Sequence, residues 1–235
     1  MRNLQFTFSL VLCLCVSSLF AQTDSTEVVD SKPQTAVKKT QPDSVKSVKI
    51  VVKSGPQIYL DYGKLLLRAT EFESKFEAGV AYTFGFRVQP NFQYGIATLE
   101  PATAIENGEY KSEGSYWRVG INYIIPFDNT NTFYAGVKYG QSKFEDSGSY
   151  LIESEYWPTY TDGFERKGLE ADWFELVLGS EKKMSDNVFI GGMFGLRFIY
   201  ERSKEEFIDI YAIPGYGRTT DKSTPYVNLY VKYRF

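Results

Sequence analysis

The stretch Tyr226-Val-Asn-Leu-Tyr-Val-Lys-Tyr-Arg-Phe235 ends the chain and alternates without a break. In an extended strand Val227, Leu229, Val231, Tyr233 and Phe235 share one face, and Tyr226, Asn228, Tyr230, Lys232 and Arg234 share the other. One face is apolar with aromatic ends, and the other is polar.

Working back towards the N-terminus, the same period recurs in segment after segment as far as Gly55. Ile58, Leu60 and Tyr62 mark a first strand; Phe76, Ala78, Val80, Tyr82, Phe84 and Phe86 a second; Phe92, Tyr94 and Ile96 a third. Trp117, Val119, Ile121, Tyr123 and Ile125 give a fourth, and Phe133, Ala135, Val137 and Tyr139 a fifth. Phe174, Leu176 and Leu178 suggest a sixth, less regular strand, and Val188, Ile190, Phe194, Leu196 and Phe198 a seventh. With the closing strand the count is eight, which suits an all-β, antiparallel up-and-down barrel.

The connections alternate in length. Arg87-Val88, Pro126 to Thr132 and Lys182 to Asn187 are short; Lys64 to Ser74, Leu99 to Glu113, Glu145 to Gly168 and Arg202 to Thr224 are long. Short and long loops therefore segregate to opposite ends, as they do in membrane-spanning barrels.

Alternation leaves open which face points inward. A soluble lipocalin-like barrel would hold the apolar set inside, and a membrane barrel would turn it to lipid. Gly79, Gly85, Gly95, Gly120, Gly136, Gly140, Gly191 and Gly195 fall in the non-apolar set with Asp61, Glu77, Arg118, Lys138, Glu175 and Arg197. Strand glycines weaken a solvent-exposed sheet, but in a narrow lumen they make room for long polar neighbours. The membrane barrel is the preferred reading, although Ile124, Val177 and Phe189 break the pattern. The six charged residues are expected to form one lumen network, because an unpaired charge in a water-poor lumen is costly. Aromatic belts are expected at both ends: Tyr82, Phe84, Phe86, Phe133, Tyr233 and Phe235 at one, Tyr62, Phe76, Trp117, Tyr139, Phe174 and Phe198 at the other.

The N-terminal region differs in kind. Met1-Arg-Asn, the apolar Leu4 to Phe20 and the small residues before Gln22 have the layout of a secretory signal peptide over residues 1–21. Residues 22–53 are polar, carry Pro33 and Pro42 and lack aromatics, so they are expected to form a disordered tether. The barrel is assigned to residues 54–235. Both cysteines, Cys13 and Cys15, lie in the leader, and the chain has no histidine. The remaining chain thus lacks a disulfide framework, a Cys/His zinc site, a thiol nucleophile and the usual neutral-pH base. Without Arg2, 25 basic residues face 29 acidic ones, so no field suited to nucleic acid exists. No cofactor is expected, and neither is catalysis.

The leader, the tether, the eight alternating segments and terminal Phe235 together resemble the small outer-membrane barrels of the OmpA/OmpX type. Over about residues 54–235 the chain is similar to uncharacterised barrel families of the Bacteroidota. Tyr233 and Phe235 resemble the terminal aromatics of their insertion signal, with Asn228 at a polar position and Tyr230 where many such signals have glycine. The resemblance implies a Gram-negative outer-membrane location, periplasmic termini, extracellular long loops, and lipid and the barrel-insertion machinery as partners. Enzymes on this architecture that offer a comparison rely on histidine. Carboxylate pairs such as Glu153 with Glu155 or Asp172 with Glu175 are read as solvated surface.

The functional surface is then sought in the loops. Tyr150, Tyr156, Trp157, Tyr160 and Phe164 stand among acidic residues, a mixture suited to gripping a partner or a sugar. Phe207 to Ile213, followed by Pro214-Gly-Tyr-Gly217, reads as a strand extension ending in a tight turn, and Asn107-Gly108 as a hairpin tip. The expected function is a structural or surface-interaction role; the alternatives are a binder or conduit for a small or lipidic ligand, and the secreted lipocalin-like barrel.

Overall fold

A computed structural model of the chain describes residues 53–63, 73–153, 156–203 and 208–235. The expected leader, nearly all of the expected tether, most of the first long connection, Glu155 and Phe207 lie outside the described residues.

The strands are β1 (Gly55–Asp61), β2 (Glu73–Thr83), β3 (Val88–Leu99), β4 (Gly108–Pro126) and β5 (Asn131–Ile152). They continue with β6 (Tyr160–Lys183), β7 (Val188–Arg202), the two-residue β8 (Ala212–Ile213) and β9 (Gly217–Arg218), and β10 (Ser223–Arg234). Eight of them close a barrel in the order β1-β10-β7-β6-β5-β4-β3-β2, every neighbour antiparallel. The closing strand of the sequence completes the ring: Tyr233 lies opposite Ile58 on one side and Val188 on the other. Closure gives each of the eight strands a hydrogen-bonded neighbour on both sides.

The two faces of the wall have opposite polarity. Val80, Ile121, Val137, Leu176, Leu178, Phe194 and Val227 point outward and are exposed. Gln57, Glu77, Gln93, Arg118, Glu175 and Arg197 point inward and are buried. This is the reverse of a lipocalin-like interior. Ile124, Val177 and Phe189 also point inward, so they keep the register that their chemistry disguises.

Several local expectations need correction. β1 stops at Asp61, so Tyr62 lies past its end. Phe84, Gly85 and Phe86 belong to the turn after β2 and not to the strand; the turn closes through Arg87 N–H to the Phe84 carbonyl at 3.0 Å. Gly85 is therefore not a lumen residue. Asn107 adopts a left-handed φ of 56° and its carbonyl accepts from Leu151 N–H at 3.1 Å, so it starts β4 beside β5 instead of turning a two-residue hairpin. Most of the expected loop Glu145 to Gly168 is strand, because β5 runs up to Ile152 and β6 begins at Tyr160. β6 is irregular at Lys167-Gly168, where two residues oppose Glu145 alone. Gly168 takes φ +72°, as such a bulge requires, and the extra residue re-aims the side chains beyond it. Phe164 and Arg166 consequently turn towards the mouth of the barrel.

The fourth long connection differs most from expectation. It does not prolong β7; it folds back as the separate β8–β9 hairpin. Its turn, Ile213-Pro214-Gly215-Tyr216, has Pro at the second position, Gly215 at φ +84° and Tyr216 N–H bonded to the Ile213 carbonyl at 3.1 Å, the pattern of a type II turn. Ile210, Ile213 and Tyr216 are buried, packed with Tyr116, Phe144, Leu169 and Trp173 from the barrel wall, and Ala212 is buried against Leu99 and Tyr110.

Candidate functional site

The lumen is filled in tiers. At the level of the expected network, Glu77 and Glu175 alternate with Arg118 and Arg197. Arg118 pairs with Glu77 through one Nη and reaches both Glu175 oxygens at 3.3 Å through the other. Arg197 Nε donates to Glu175 at 3.1 Å. The remaining acceptor sites are used by the Tyr116 hydroxyl on Glu77 and the Tyr226 hydroxyl on Glu175, each at 2.5 Å, and by Trp173 Nε1 on Glu175 at 2.8 Å. Lys138 joins through Gln93, donating at 2.8 Å to its Oε1, while Gln93 donates to Glu77 at 3.2 Å. Five of the six expected residues are thus brought together; Asp61 is buried on the same inner wall, opposite Tyr230. Two carboxylates matched by two guanidiniums and dressed with neutral donors meet the condition under which buried charge is tolerated. Asp172 and Glu175 do not form an acid-base pair, since Asp172 accepts from the Tyr139 hydroxyl at 2.8 Å on the outer side.

Two further tiers escaped the sequence reading. Nearer the short turns, Lys232 is paired with Glu181, and the Tyr230 hydroxyl donates to Glu181 while accepting from Tyr134, at 2.8 Å in both cases. Below it Gln57, Thr83, Gln89 and Asn122 are linked by amide and hydroxyl bonds of 2.6–3.1 Å. All of these sit at inward positions of their strands, so parity alone could have found them.

The glycines explain how so many rings fit. Tyr59, Tyr116, Tyr134, Trp173, Tyr226 and Tyr230 each lie directly across from a glycine on the next strand: Gly79, Gly95, Gly179, Gly140, Gly195 and Gly191. A Cβ on any of these glycines would come within 2.7 Å of the facing ring. Their seats are therefore for amphipathic aromatics more than for long charged chains; Gly120 under Lys138 and Gly136 under Asn122 follow the original expectation. Tyr and Trp can bury the ring on glycine and still offer a polar tip to the charged tier.

At the opposite end from the short turns, the hairpin β8–β9 stoppers the mouth. Arg197, already on Glu175, donates to the Tyr216 carbonyl at 2.7 Å. Arg166 holds Asp146 with two bonds of 2.7 and 2.5 Å and donates to the Ile208 carbonyl at 2.6 Å. Asp146 also accepts from the Tyr110 hydroxyl at 2.9 Å; burial and that carboxylate raise the Tyr110 phenol. Gly215 rests on the Tyr116 ring, and Tyr216 meets Trp173 edge to face at 5.9 Å.

The five loop aromatics are split. Tyr156 and Trp157 project at 85% and 76% exposure, with Tyr160 beside them. Tyr160 and Tyr150 both donate to Asp162, at 2.8 and 3.3 Å. The Gly163 N–H and then these hydroxyls hold the Asp162 carboxyl below the usual carboxylate range. Phe164 is not available for recognition: it lies 6.4 Å from the Tyr110 ring and beneath the Arg166 guanidinium at 4.8 Å. The terminal aromatics Tyr233 and Phe235 both face outward, their rings 5.0 Å apart and edge to face.

Among solved structures, the chain is similar to the N-terminal β-barrel domain of Pseudomonas aeruginosa OprF, at 10% identity over 78% of this chain and 100% of that one, with a TM-score of 0.38. It is similar to Acinetobacter baumannii CarO2 at 12% identity over 80% of this chain and 100% of that one, TM-score 0.43. It is also similar to Ail, the attachment invasion locus protein of Yersinia pestis, at 9% identity over 78% of this chain and 100% of that one, TM-score 0.39. No curated protein matches the chain. A family described as a domain of unknown function, DUF6048, matches residues 3–234, and the chain belongs to that family.

Proposed function

We propose that this protein is an integral outer-membrane β-barrel with a structural or cell-surface interaction role, and without catalytic activity. The observation that carries the reading is the polarity of the wall. An apolar belt of this extent would be untenable in water, and a lumen of paired charges and ring-on-glycine seats needs no lipid-like interior. Rings gather at both ends of that belt: Tyr82, Phe84 and Phe86 with Tyr233 and Phe235 at the short turns, and the chain Trp117, Tyr139, Phe174, Tyr200 towards the long loops. With a cleaved leader and a periplasmic tether, the short turns face the periplasm and the long hairpins face outward.

The interior speaks against the conduit alternative. Between the charged tier and the Tyr134–Tyr230 tier the lumen keeps a cavity of about 10 Å³, bounded by Tyr59, Gln89, Lys138 and Lys232 among others, which is room for one water. Interaction then falls to the exposed tip, Tyr156, Trp157 and Tyr160. The decisive measurement is migration of the membrane-extracted protein on gels before and after boiling. Heat-modifiable migration is expected; a protein that stays in solution without detergent overturns the reading. For the surface role, deletion of Tyr150 to Phe164 should abolish binding of whole cells to a host or sugar surface, and unchanged binding overturns it.

A further inference from the structure

One arrangement recurs in this chain: a carboxylate shared by a tyrosine hydroxyl and an arginine. Glu77 takes the Tyr116 hydroxyl at 2.5 Å and pairs with Arg118, whose guanidinium lies over the Tyr116 ring at 5.4 Å. Glu175 takes the Tyr226 hydroxyl and pairs with Arg197, which lies over the Tyr226 ring at 3.7 Å. Asp146 takes the Tyr110 hydroxyl and pairs with Arg166, here stacked on Phe164. The hydroxyl draws the ring beside the negative charge, and a planar guanidinium set on that ring gains from both.

A carboxylate of the same kind stands at the projecting tip. Tyr150 lies opposite Asp162 and Ile152 opposite Tyr160, so the four share one face of β5 and β6, the face that carries Phe164 and Arg166 lower down. Asp162 accepts from both hydroxyls and from Gly163 N–H, three bonds where a carboxylate takes about four. Among the described residues neither Asp162 nor the exposed Glu153 meets a cation. The acids lower on the hairpin are answered, Asp146 by Arg166 and Glu165 by Lys167, but no Lys or Arg occurs between Lys143 and Arg166. The uncompensated charge therefore sits at the crown, among the exposed Ile152, Trp157 and Tyr160. Trp157 precedes Pro158, which narrows its backbone and presents the ring at little cost in entropy. Tyr139 with Asp172 also lacks a cation, but that pair lies on the aromatic belt of the wall.

We propose that the tip binds an arginine-bearing basic segment of another protein, one guanidinium stacking on the Tyr160 ring and pairing with Asp162 while neighbouring apolar side chains cover Ile152 and Trp157. The partner's arginine completes at the tip what Arg118, Arg197 and Arg166 complete within the barrel. The inference rests on the surface-interaction reading of the long hairpins and names the chemistry of the partner.

The test is fluorescence anisotropy with the full-length protein in a neutral detergent and a labelled octapeptide of alternating arginine and glycine. Its counterpart carries citrulline, which keeps the shape of arginine without the charge. The arginine peptide should bind about tenfold more tightly, the order of one exposed cation–π contact added to one exposed ion pair. Asp162→Asn should remove that preference and Asp162→Glu should restore it, while Asp172→Asn leaves it intact. Equal affinity of the two peptides for the parent protein overturns the proposal, as does a preference that Asp162→Glu fails to restore or that Asp172→Asn removes as well. Binding of maltoheptaose in place of either peptide overturns it in favour of a sugar. If deletion of Tyr150 to Phe164 abolishes whole-cell binding and the peptides are not distinguished, only this inference fails; whole-cell binding that ignores the deletion defeats the surface reading beneath it.

Discussion

The third and fourth long connections have similar numbers of tyrosines, glycines and charges, yet one projects and the other is swallowed. The third becomes the upper halves of β5 and β6, ending in Tyr156 and Trp157 in the open. The fourth carries Ile210, Ile213 and Tyr216 into the mouth, where arginines cap its carbonyls. What separates them is backbone chemistry. Alternation with a single bulge keeps a hairpin extended, whereas Pro214-Gly215 enforces a reversal after a short apolar run and leaves buried carbonyls that need donors. The lumen supplies those donors because the same arginines are already fixed on carboxylates.

That coupling should be visible as the largest effect. Glu175 holds Arg118 and Arg197, and Arg197 holds the plug, so Glu175→Ala leaves Arg197 without a carboxylate and Arg118 with Glu77 alone in the lumen. A loss of about 3–5 kcal/mol is expected, read as a lower urea midpoint in detergent. Hydrogen exchange should rise in the plug, Ile210 to Tyr216, and stay unchanged at the tip of the third hairpin. Equal loss of protection at both loops would break the contrast.

The next effect isolates the plug. Gly215 combines a left-handed φ with the Tyr116 ring where its Cβ would be, the nearest ring atom 2.4 Å away. Gly215→Ala should therefore strain the turn by about 1–3 kcal/mol and free the plug amides to exchange, while the barrel stays heat-modifiable. A smaller effect of the same kind belongs to the third connection. Gly168 needs its φ but has nothing within 4 Å of a built Cβ, so Gly168→Ala carries the backbone cost alone, about 1 kcal/mol. Its readout is the Arg166–Asp146 pair: a register slip turns Arg166 outward and removes protection from Tyr110 and Ile208.

Legibility in the sequence followed the range of the interaction. The eight staves, the outward aromatics and five members of the charged tier could be read from parity, since a period of two is a local property of the backbone. The glycines are legible as lumen residues from the same parity, but their ring partners are not, because cross-strand register relates Gly140 to Trp173 and Gly79 to Tyr59 across turns and long strands. The inward turn of Arg166 hid behind a single left-handed glycine, which shifts parity by one. The plug reads as a strand in the sequence because Ile208, Ile210 and Ala212 do alternate; only the chemistry of a mouth assembled from β4, β5 and β6 makes burial better than extension.

The smallest effects lie at the projecting tip, and they separate stability from interaction. Tyr156→Ser and Trp157→Ser remove exposed rings, so the unfolding midpoint should move by less than about 0.5 kcal/mol. Binding of cells to their target should fall nonetheless if these rings are the contact. Local order at the tip has its own handle in Asp162. A carboxyl whose folded pKa is depressed contributes stability above its unfolded value and loses it as pH falls through the folded one. The hydroxyls of Tyr150 and Tyr160 should therefore hold the tip at neutral pH and release it only in strong acid, seen as a rise in Trp157 mobility by fluorescence anisotropy with Trp117 and Trp173 replaced by Phe. Asp162→Asn should show that higher mobility already at neutral pH; a tip equally ordered in this variant would mean that strand pairing, and not the carboxylate, positions Trp157.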